Sequence, residues 1–311
     1  MPRRLSRNRK RNEVVAFCGF ISPWFIGFVL FAAVPLLVSL LMSMATFDLY
    51  GLKNFHWIGL AHYRFALEDP ATREALEDTA IFTAIFVPLG LVVQIGLAFL
   101  VSSGGRLRDV FCVLFYLPVV IPTLVSILLI WRVGIAGPDG VFDRVYHLFA
   151  PDGDISWLDQ QGRTILILFM LWSTAGLGML VFLAGLQNVS RQLREAAALD
   201  GATRGQILRT ITLPLLTPVI FVQLILGLIA SAQMMIQPIL FGASLGFGGS
   251  PFFQVPANGA DLLPAHIFDV TFIAAAPGLG AALSWLLFMI FLVVTLLLFA
   301  TGRFWVFYGS D

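Results

Sequence analysis

Long uncharged stretches alternate with short polar ones along this chain. Residues 14–47, 79–105, 110–131, 164–190, 210–260 and 270–302 contain no Asp, Glu, Lys or Arg. A membrane-spanning helix needs about 20 mostly apolar residues. The pattern therefore predicts six spans, near 15–45, 79–101, 110–132, 164–187, 215–241 and 271–300. The fifth run is too long for one helix, and the Gly and Pro cluster from Gly242 to Pro256 predicts that its tail leaves the membrane. The first run follows a basic start, MPRRLSRNRKRNE, as a signal peptide would. It then continues well past the short apolar core of such a peptide, so it reads as a retained anchor, kinked or broken at Pro23 and Pro35. The expectation is an all-α membrane protein: a polytopic bundle of about six transmembrane helices over 14–303, between a basic terminus 1–13 and a tail 304–311.

Composition agrees, since 59% of residues are hydrophobic and only 12% charged, against about a quarter charged in soluble domains. The net charge of +1 is less informative than its distribution. Six spans put both termini on one side. That side collects Arg3, Arg4, Arg7, Arg9, Lys10 and Arg11, then Arg106, Arg108, Arg191, Arg194, Arg204, Arg209 and Arg303. Basic residues opposite are diluted by acids, among them Glu68, Asp69, Glu74, Glu77, Asp78, Asp139 and Asp159. The positive-inside rule then predicts cytoplasmic termini in a cell membrane. Cys18 and Cys112 lie within apolar runs without metal-like spacing and read as small buried hydrophobes.

Three loops face outward in this scheme. Residues 48–78 mix aromatics with charge and predict short interfacial helices, with Trp57, His62 and Tyr63 at the membrane–water boundary. His56 and His62 have no further His or Cys to complete a metal site. Residues 133–163 carry the turn signal Gly137-Pro138-Asp139-Gly140, and Asp152 with Asp154 lack the rest of a calcium loop. Residues 242–269, rich in Gly, Pro and Phe, predict an irregular, surface-bound segment.

The most distinctive stretch is the cytoplasmic one between spans four and five. Arg191–Asp200 is composed of good helix formers. Gly201 permits a sharp turn with positive φ. Thr203 can cap a second helix through Gln206–Thr210, and Pro214 permits a bend into span five. A bare amphipathic interfacial helix would require neither the Gly break nor the Leu-Pro that follows.

The order Glu195-Ala196-Ala197, Asp200-Gly201-Ala202, Ile211-Thr212-Leu213-Pro214 and Pro218 resembles the EAA motif of ABC importer permeases. Phe115-Tyr116-Leu117-Pro118, Trp131-Arg132, Phe182-Leu183-Ala184-Gly185-Leu186-Gln187 and Gly280-Ala281-Ala282-Leu283-Ser284 are similar to the carbohydrate-uptake branch, specifically its first permease, over roughly residues 14–300. The resemblance implies a type I ABC importer permease fold with a cytoplasmic coupling helix. It implies that Glu195, Ala196, Ala197, Asp200, Gly201, Ala202, Leu213 and Pro214 form the ATPase-coupling contact. The implied partners are a second permease subunit, two ATP-binding subunits, an extracytoplasmic solute-binding protein, a sugar-like substrate and membrane lipid, with no nucleic acid. Two places depart from the family: Gly205 replaces a common aromatic residue, and Gln233–Gly246 replaces an acidic residue followed by a Thr-Gly-Gly-Gly-Pro turn.

The lysines are Lys10 and Lys53, neither in a phosphate-binding Gly-x-x-x-x-Gly-Lys context, so this chain is not itself the ATPase. It is expected to be non-catalytic and to hold no cofactor, with ATP and Mg in the partner subunits. The spans at 79–101, 164–187, 215–241 and 271–300 contain no ionisable residue, which argues against a proton-driven secondary transporter. An integral-membrane enzyme, the other alternative, needs clustered Asp, His or Lys near a membrane face, and the acids there are scattered. Aromatic rings stack on sugar faces and amides bond hydroxyls, so Trp172, Ser173, Thr174, Ser231, Gln233 and Gln237 are the candidates for lining a path. The same polar types also join helices to one another in membranes.

Overall fold

The first long run forms α1 (Arg7–Phe28), a π-helical turn Val29–Ala33, and α2 (Val34–Met42). Pro23 is accommodated inside α1, and Pro35 falls in the first turn of α2. Pro has no N–H to donate to the preceding turn, and a wider turn ahead of it keeps the helix continuous. These elements come from a computed structural model, which describes residues 7–47, 55–102, 108–120, 130–136, 139–149, 157–242 and 259–307.

The chain divides into two bodies, Met1–Ala66 with Val270–Trp285, and Leu67–Asp269 with Leu286–Asp311. In the first, α2 leads into a two-stranded antiparallel ribbon, Ala45–Thr46 against His56–Trp57, an addition to the all-helical expectation. Next comes α3 (Ala61–Glu68). Its residues His62 and Tyr63 are both hydrogen-bonded to Ser43. The Tyr63 hydroxyl bonds Ser43 Oγ at 2.8 Å, and His62 Nδ1 lies 3.1 Å from the Ser43 carbonyl. These contacts tie α3 back to the end of α2.

The second body is built on α4 (Pro70–Ser102). This helix begins well before the expected residue 79, because Asp69 caps it: Asp69 Oδ2 accepts from the Thr72 N–H and hydroxyl, both at 2.8 Å, with Pro70 following the cap. It is followed by α5 (Arg108–Val120), a π-helical turn Trp131–Ile135, and α6 (Val141–Phe149). The expected third span, 110–132, is therefore seen in part, with residues 121–129 outside those described. Then α7 (Gly162–Asn188) packs along α4 and α5. Two small residues on α7 set these distances. A Cβ on Gly176 would collide with the Phe115 carbonyl, and one on Gly178 with the Gln94 side chain. Small residues at helix crossings are the usual means of close approach in membranes.

Two apolar clusters fill the second body. One surrounds Phe82, Phe86, Trp131, Phe169, Met234 and Leu262; the other surrounds Ala98, Met179, Phe182, Leu186 and Leu216. The segment 259–269 is not the irregular surface loop that its composition predicts. Ala260, Leu262, Leu263, Pro264 and Ala265 are buried, and Leu263–Phe268 is helical, with the Leu263 N–H donating to Thr79 Oγ1 of α4 at 2.7 Å. Its apolar run outweighs the loop signal of the Gly and Pro residues before it. Residues 243–258 lie outside those described.

Among the described residues, five helical stretches are long and apolar enough to cross a membrane: Glu13–Met42, Pro70–Ser102, Gly162–Asn188, Arg204–Ala232 and Pro277–Trp305.

Candidate functional site

The stretch between the fourth and fifth expected spans forms α8 (Arg191–Leu199), a turn, α9 (Arg204–Ile207), a π-helical turn Leu208–Thr212, and α10 (Leu213–Ala232). The turn is a Schellman cap. The Ala202 N–H bonds the Ala197 carbonyl at 3.0 Å, the Gly201 N–H bonds the Ala198 carbonyl at 3.1 Å, and Gly201 has φ +83°. The two bonds satisfy carbonyls that a helix end leaves without partners, and the left-handed residue between them suits glycine. Asp200 is the residue in which the helix ends. Three residues later Thr203 starts α9 through a capping box with Gln206.

No residue of α8 is buried. Leu199 is 89% exposed and Leu193 51%, while Glu195 pairs with Arg191 across one turn at 2.7 Å, also in the open. A short helix of charged residues followed by small ones, closed at its far end and standing away from the clusters, is a surface rather than a core element. An exposed pair of this kind contributes a few tenths of a kcal/mol at most, so Glu195 is not there for the stability of this chain.

Leu213 and Pro214 are the first two residues of α10, and the π turn Leu208–Thr212 joins α9 to it without a break, so that Arg204–Ala232 runs as one stretch. Ala196, Ala197, Asp200, Gly201 and Ala202 are thus held together in one cap, Glu195 stands in the helix just before it, and Leu213 and Pro214 lie at the root of the next span. Gly205 sits in the first turn of α9 with no atom near the place of a Cβ.

The path candidates are placed less uniformly. Trp172 joins an aromatic cluster: its ring lies 5.8 Å from Trp131, which also contacts Phe169 at 5.6 Å and Phe142 of α6 at 6.1 Å. Ser173 and Thr174 donate to the Met170 carbonyl one turn back, at 3.2 and 2.7 Å. Ser231 is fully buried, donates to the Leu228 carbonyl at 2.8 Å, and accepts from Thr83 of α4 at 3.1 Å. Gln233 ends α10 and is exposed; Gln237 is half-buried in the short helix Ile236–Gly242 beyond the break. The hydroxyls of Ser173, Thr174 and Ser231 have thus given their protons to backbone carbonyls and keep only acceptor capacity. Two amides outside this candidate set, Gln94 of α4 and Gln223 of α10, are half-buried within apolar helices. An amide inside an uncharged run is the sequence signal that marks them.

Comparison with known proteins matches these features. Residues 87–307 match the family model of the binding-protein-dependent transport system inner membrane component. The chain is 33% identical, over 98% of its length and 96% of the relative's, to the probable ABC transporter permease protein YesP of Bacillus subtilis. It is 27% identical to the lactose transport system permease protein LacF of Rhizobium radiobacter, covering 91% and 93% of the two chains. Among solved structures, it superposes with a TM-score of 0.77 on a chain of a bacterial alginate ABC transporter solved in complex with an alginate pentasaccharide-bound periplasmic protein. The identity there is 22%, with 96% and 97% of the two chains covered.

The chain belongs to the family of binding-protein-dependent transport system inner membrane components. It is a multi-pass permease subunit of an ABC importer, a non-catalytic class, and neither an integral-membrane enzyme nor a self-contained secondary transporter.

Proposed function

We propose that this chain forms, with a second permease subunit, the translocation path for a sugar or related polyol. Two ATP-binding subunits drive it through residues 194–218, and an extracytoplasmic solute-binding protein delivers the cargo. The observation that carries the coupling role is α8: an exposed, Schellman-capped helix with no buried residue. Its small residues Ala196 and Ala197 let another backbone approach, and Glu195 can exchange Arg191 for a partner's donor. The helix is joined through one turn to the continuous stretch Arg204–Ala232, so a push on α8 is carried into a membrane span. Closure of the ATP-binding subunits favours the outward-open arrangement and their release the inward one. ATP and Mg belong to those subunits.

A carbohydrate cargo is supported by the relatives' names and by the chemistry available. Trp172 offers a ring face, while Ser173 and Thr174 offer acceptor lone pairs to a solute hydroxyl; Ser231, fully buried and already accepting from Thr83, joins α4 to α10 instead. Gln233 and Gln237 offer amides. The basic residues flanking α8 support cytoplasmic placement of that loop and of both termini, with lipid around the apolar helices.

The test reconstitutes the full importer in proteoliposomes and measures ATP-driven uptake of labelled lactose and maltose alongside binding-protein-stimulated ATPase activity. Glu195→Ala and Gly201→Val are expected to reduce both activities at least tenfold while the subunits still co-purify. Unchanged uptake and ATPase activity in both variants would show that this loop is not the coupling element.

A further inference from the structure

At the end of the second body away from α8, a connected set of polar groups joins three parts of the chain. Arg163, in the first turn of α7, bonds the Asp78 carboxylate of α4 through Nη2 and the Gly259 carbonyl through Nε at 3.1 Å. Gly259 has φ +80°, and a Cβ there would collide with the Arg163 guanidinium, so the close approach depends on glycine. The Leu263 N–H donates to Thr79 Oγ1, which in turn donates to the Ala75 carbonyl at 2.7 Å. His266 Nε2 lies 3.4 Å from Thr72 Oγ1, and its Nδ1 lies 3.9 Å from Asp261. One short segment, 259–268, is thus held to α4 and α7 at three points.

We propose that this segment is a proton-dependent clamp, docked while Asp261 is protonated and loosened when Asp261 ionises.

Asp261 Oδ1 is buried without a hydrogen-bond partner among the described residues, whereas its other oxygen faces His266. The surrounding charges are mostly of its own sign. From α4 come Asp78 and Glu74, from just beyond the segment's helix Asp269, and the cation Arg163 is already committed to Asp78 and Gly259. Burial, and then repulsion from Asp78, Asp269 and Glu74, pushes the Asp261 carboxyl up to about 7. Its raised value makes the docked segment bind a proton that the released segment gives up, so docking weakens as pH rises from the ordinary carboxylate value towards 7. His266 works in the opposite sense. Burial lowers its pKa while Asp69 and Asp269 oppose that effect, so its contribution to docking is present above the ordinary histidine value and lost as pH falls. The two groups set an upper and a lower limit to the docked range. The clamp bridges the first turns of α4 and α7 to the chain leading into the last span. Its opening would couple the permease's conformational equilibrium to the pH on that face, whatever solute is carried.

Hydrogen–deuterium exchange on the full chain in lipid nanodiscs reads the clamp directly, through the amides of Leu263, Ala265 and His266. Exchange is compared as protection factors at pH 5.5 and 8, for the wild type and Asp261→Asn. The ratio of wild-type to variant opening cancels the His266 contribution and is expected to be about thirtyfold larger at pH 8 than at pH 5.5. An equal ratio at the two pH values overturns the proposal. Thr79→Val, which removes a tether without changing a titrating group, is expected to raise opening by the same factor at both pH values. If its opening relative to the wild type instead changes with pH as that of Asp261→Asn does, the clamp is not controlled by that carboxyl. Should Asp261→Asn fail to fold, the wild type and Thr79→Val still decide between the outcomes. Opening in both must rise in parallel between pH 6.5 and 8, and a flat profile overturns the proposal.

Discussion

Thr203 and Gln206 hold each other's backbone: the Gln206 side chain accepts from the Thr203 N–H at 2.7 Å, and Thr203 Oγ1 accepts from the Gln206 N–H at 3.4 Å. This reciprocal cap starts the stretch that becomes α10, four residues after α8 ends. Thr203→Ala removes one half of it and is expected to cost about 1 kcal/mol. Thr203→Ser should restore most of that stability. A thermal unfolding series in one detergent measures both, and equal midpoints for all three proteins would show that the cap does not contribute.

Gly176 and Gly205 give opposite expectations for the same substitution. A Cβ on Gly176 would collide with the backbone carbonyl of Phe115, and backbone cannot swing aside as a side chain can. Gly176→Ala should therefore destabilise the α5–α7 crossing by about 1–3 kcal/mol. Gly205→Ala meets nothing within 4 Å and lies in a helix, so it should stabilise by about 0.5–1 kcal/mol. Unfolding midpoints that move in opposite directions are the expected result.

The hydrogen bond from Thr83 to Ser231 joins α4 to α10 inside the apolar part of the second body. Ser231 retains its own bond to the Leu228 carbonyl, so the interhelical bond can be isolated by a double-mutant cycle with Thr83→Val and Ser231→Ala. Its coupling energy should be about 0.6 kcal/mol, the usual size for such bonds in membranes. A coupling indistinguishable from zero would remove it from the forces holding this crossing.

Acid should weaken the start of α4. Burial alone would raise the Asp69 carboxyl, but the hydrogen bonds from the Thr72 N–H and hydroxyl, aided by His266, more than offset that and hold it below its ordinary value. A lowered pKa means that the stabilisation is present above the ordinary carboxylate value, near 4, and is lost as pH falls through the lowered one. Exchange of the Thr72 amide should therefore quicken below about pH 4 in the wild type. In Asp69→Asn this acid step should be absent, because an amide does not titrate.

Much of this was legible in one dimension because membrane helices are defined by length and apolarity, both of which are counted along the chain. The cap at Asp200–Ala202 was legible for a similar reason. A glycine with positive φ between a helix and a Thr–Gln box is a local event, decided by neighbours in sequence. The alternation of basic and acidic loops likewise needs no contacts to be read.

What the sequence could not decide depended on partners far along the chain. Residues 259–269 follow a Gly- and Pro-rich stretch, yet Leu263 finds Thr79 and Arg163 reaches both Asp78 and Gly259, so the segment is buried and helical. Ser173, Thr174 and Ser231 looked alike as path-lining hydroxyls, but their protons go to carbonyls that only a formed helix presents. Residue type and spacing determined that this chain crosses a membrane repeatedly and carries a capped loop between two spans. Tertiary packing decided which polar groups are occupied, because a hydrogen bond depends on an approach of about 3 Å that no local pattern encodes. For α8 the two levels agree: its sequence makes a short helix of charged and then small residues, and the fold leaves that helix uncovered.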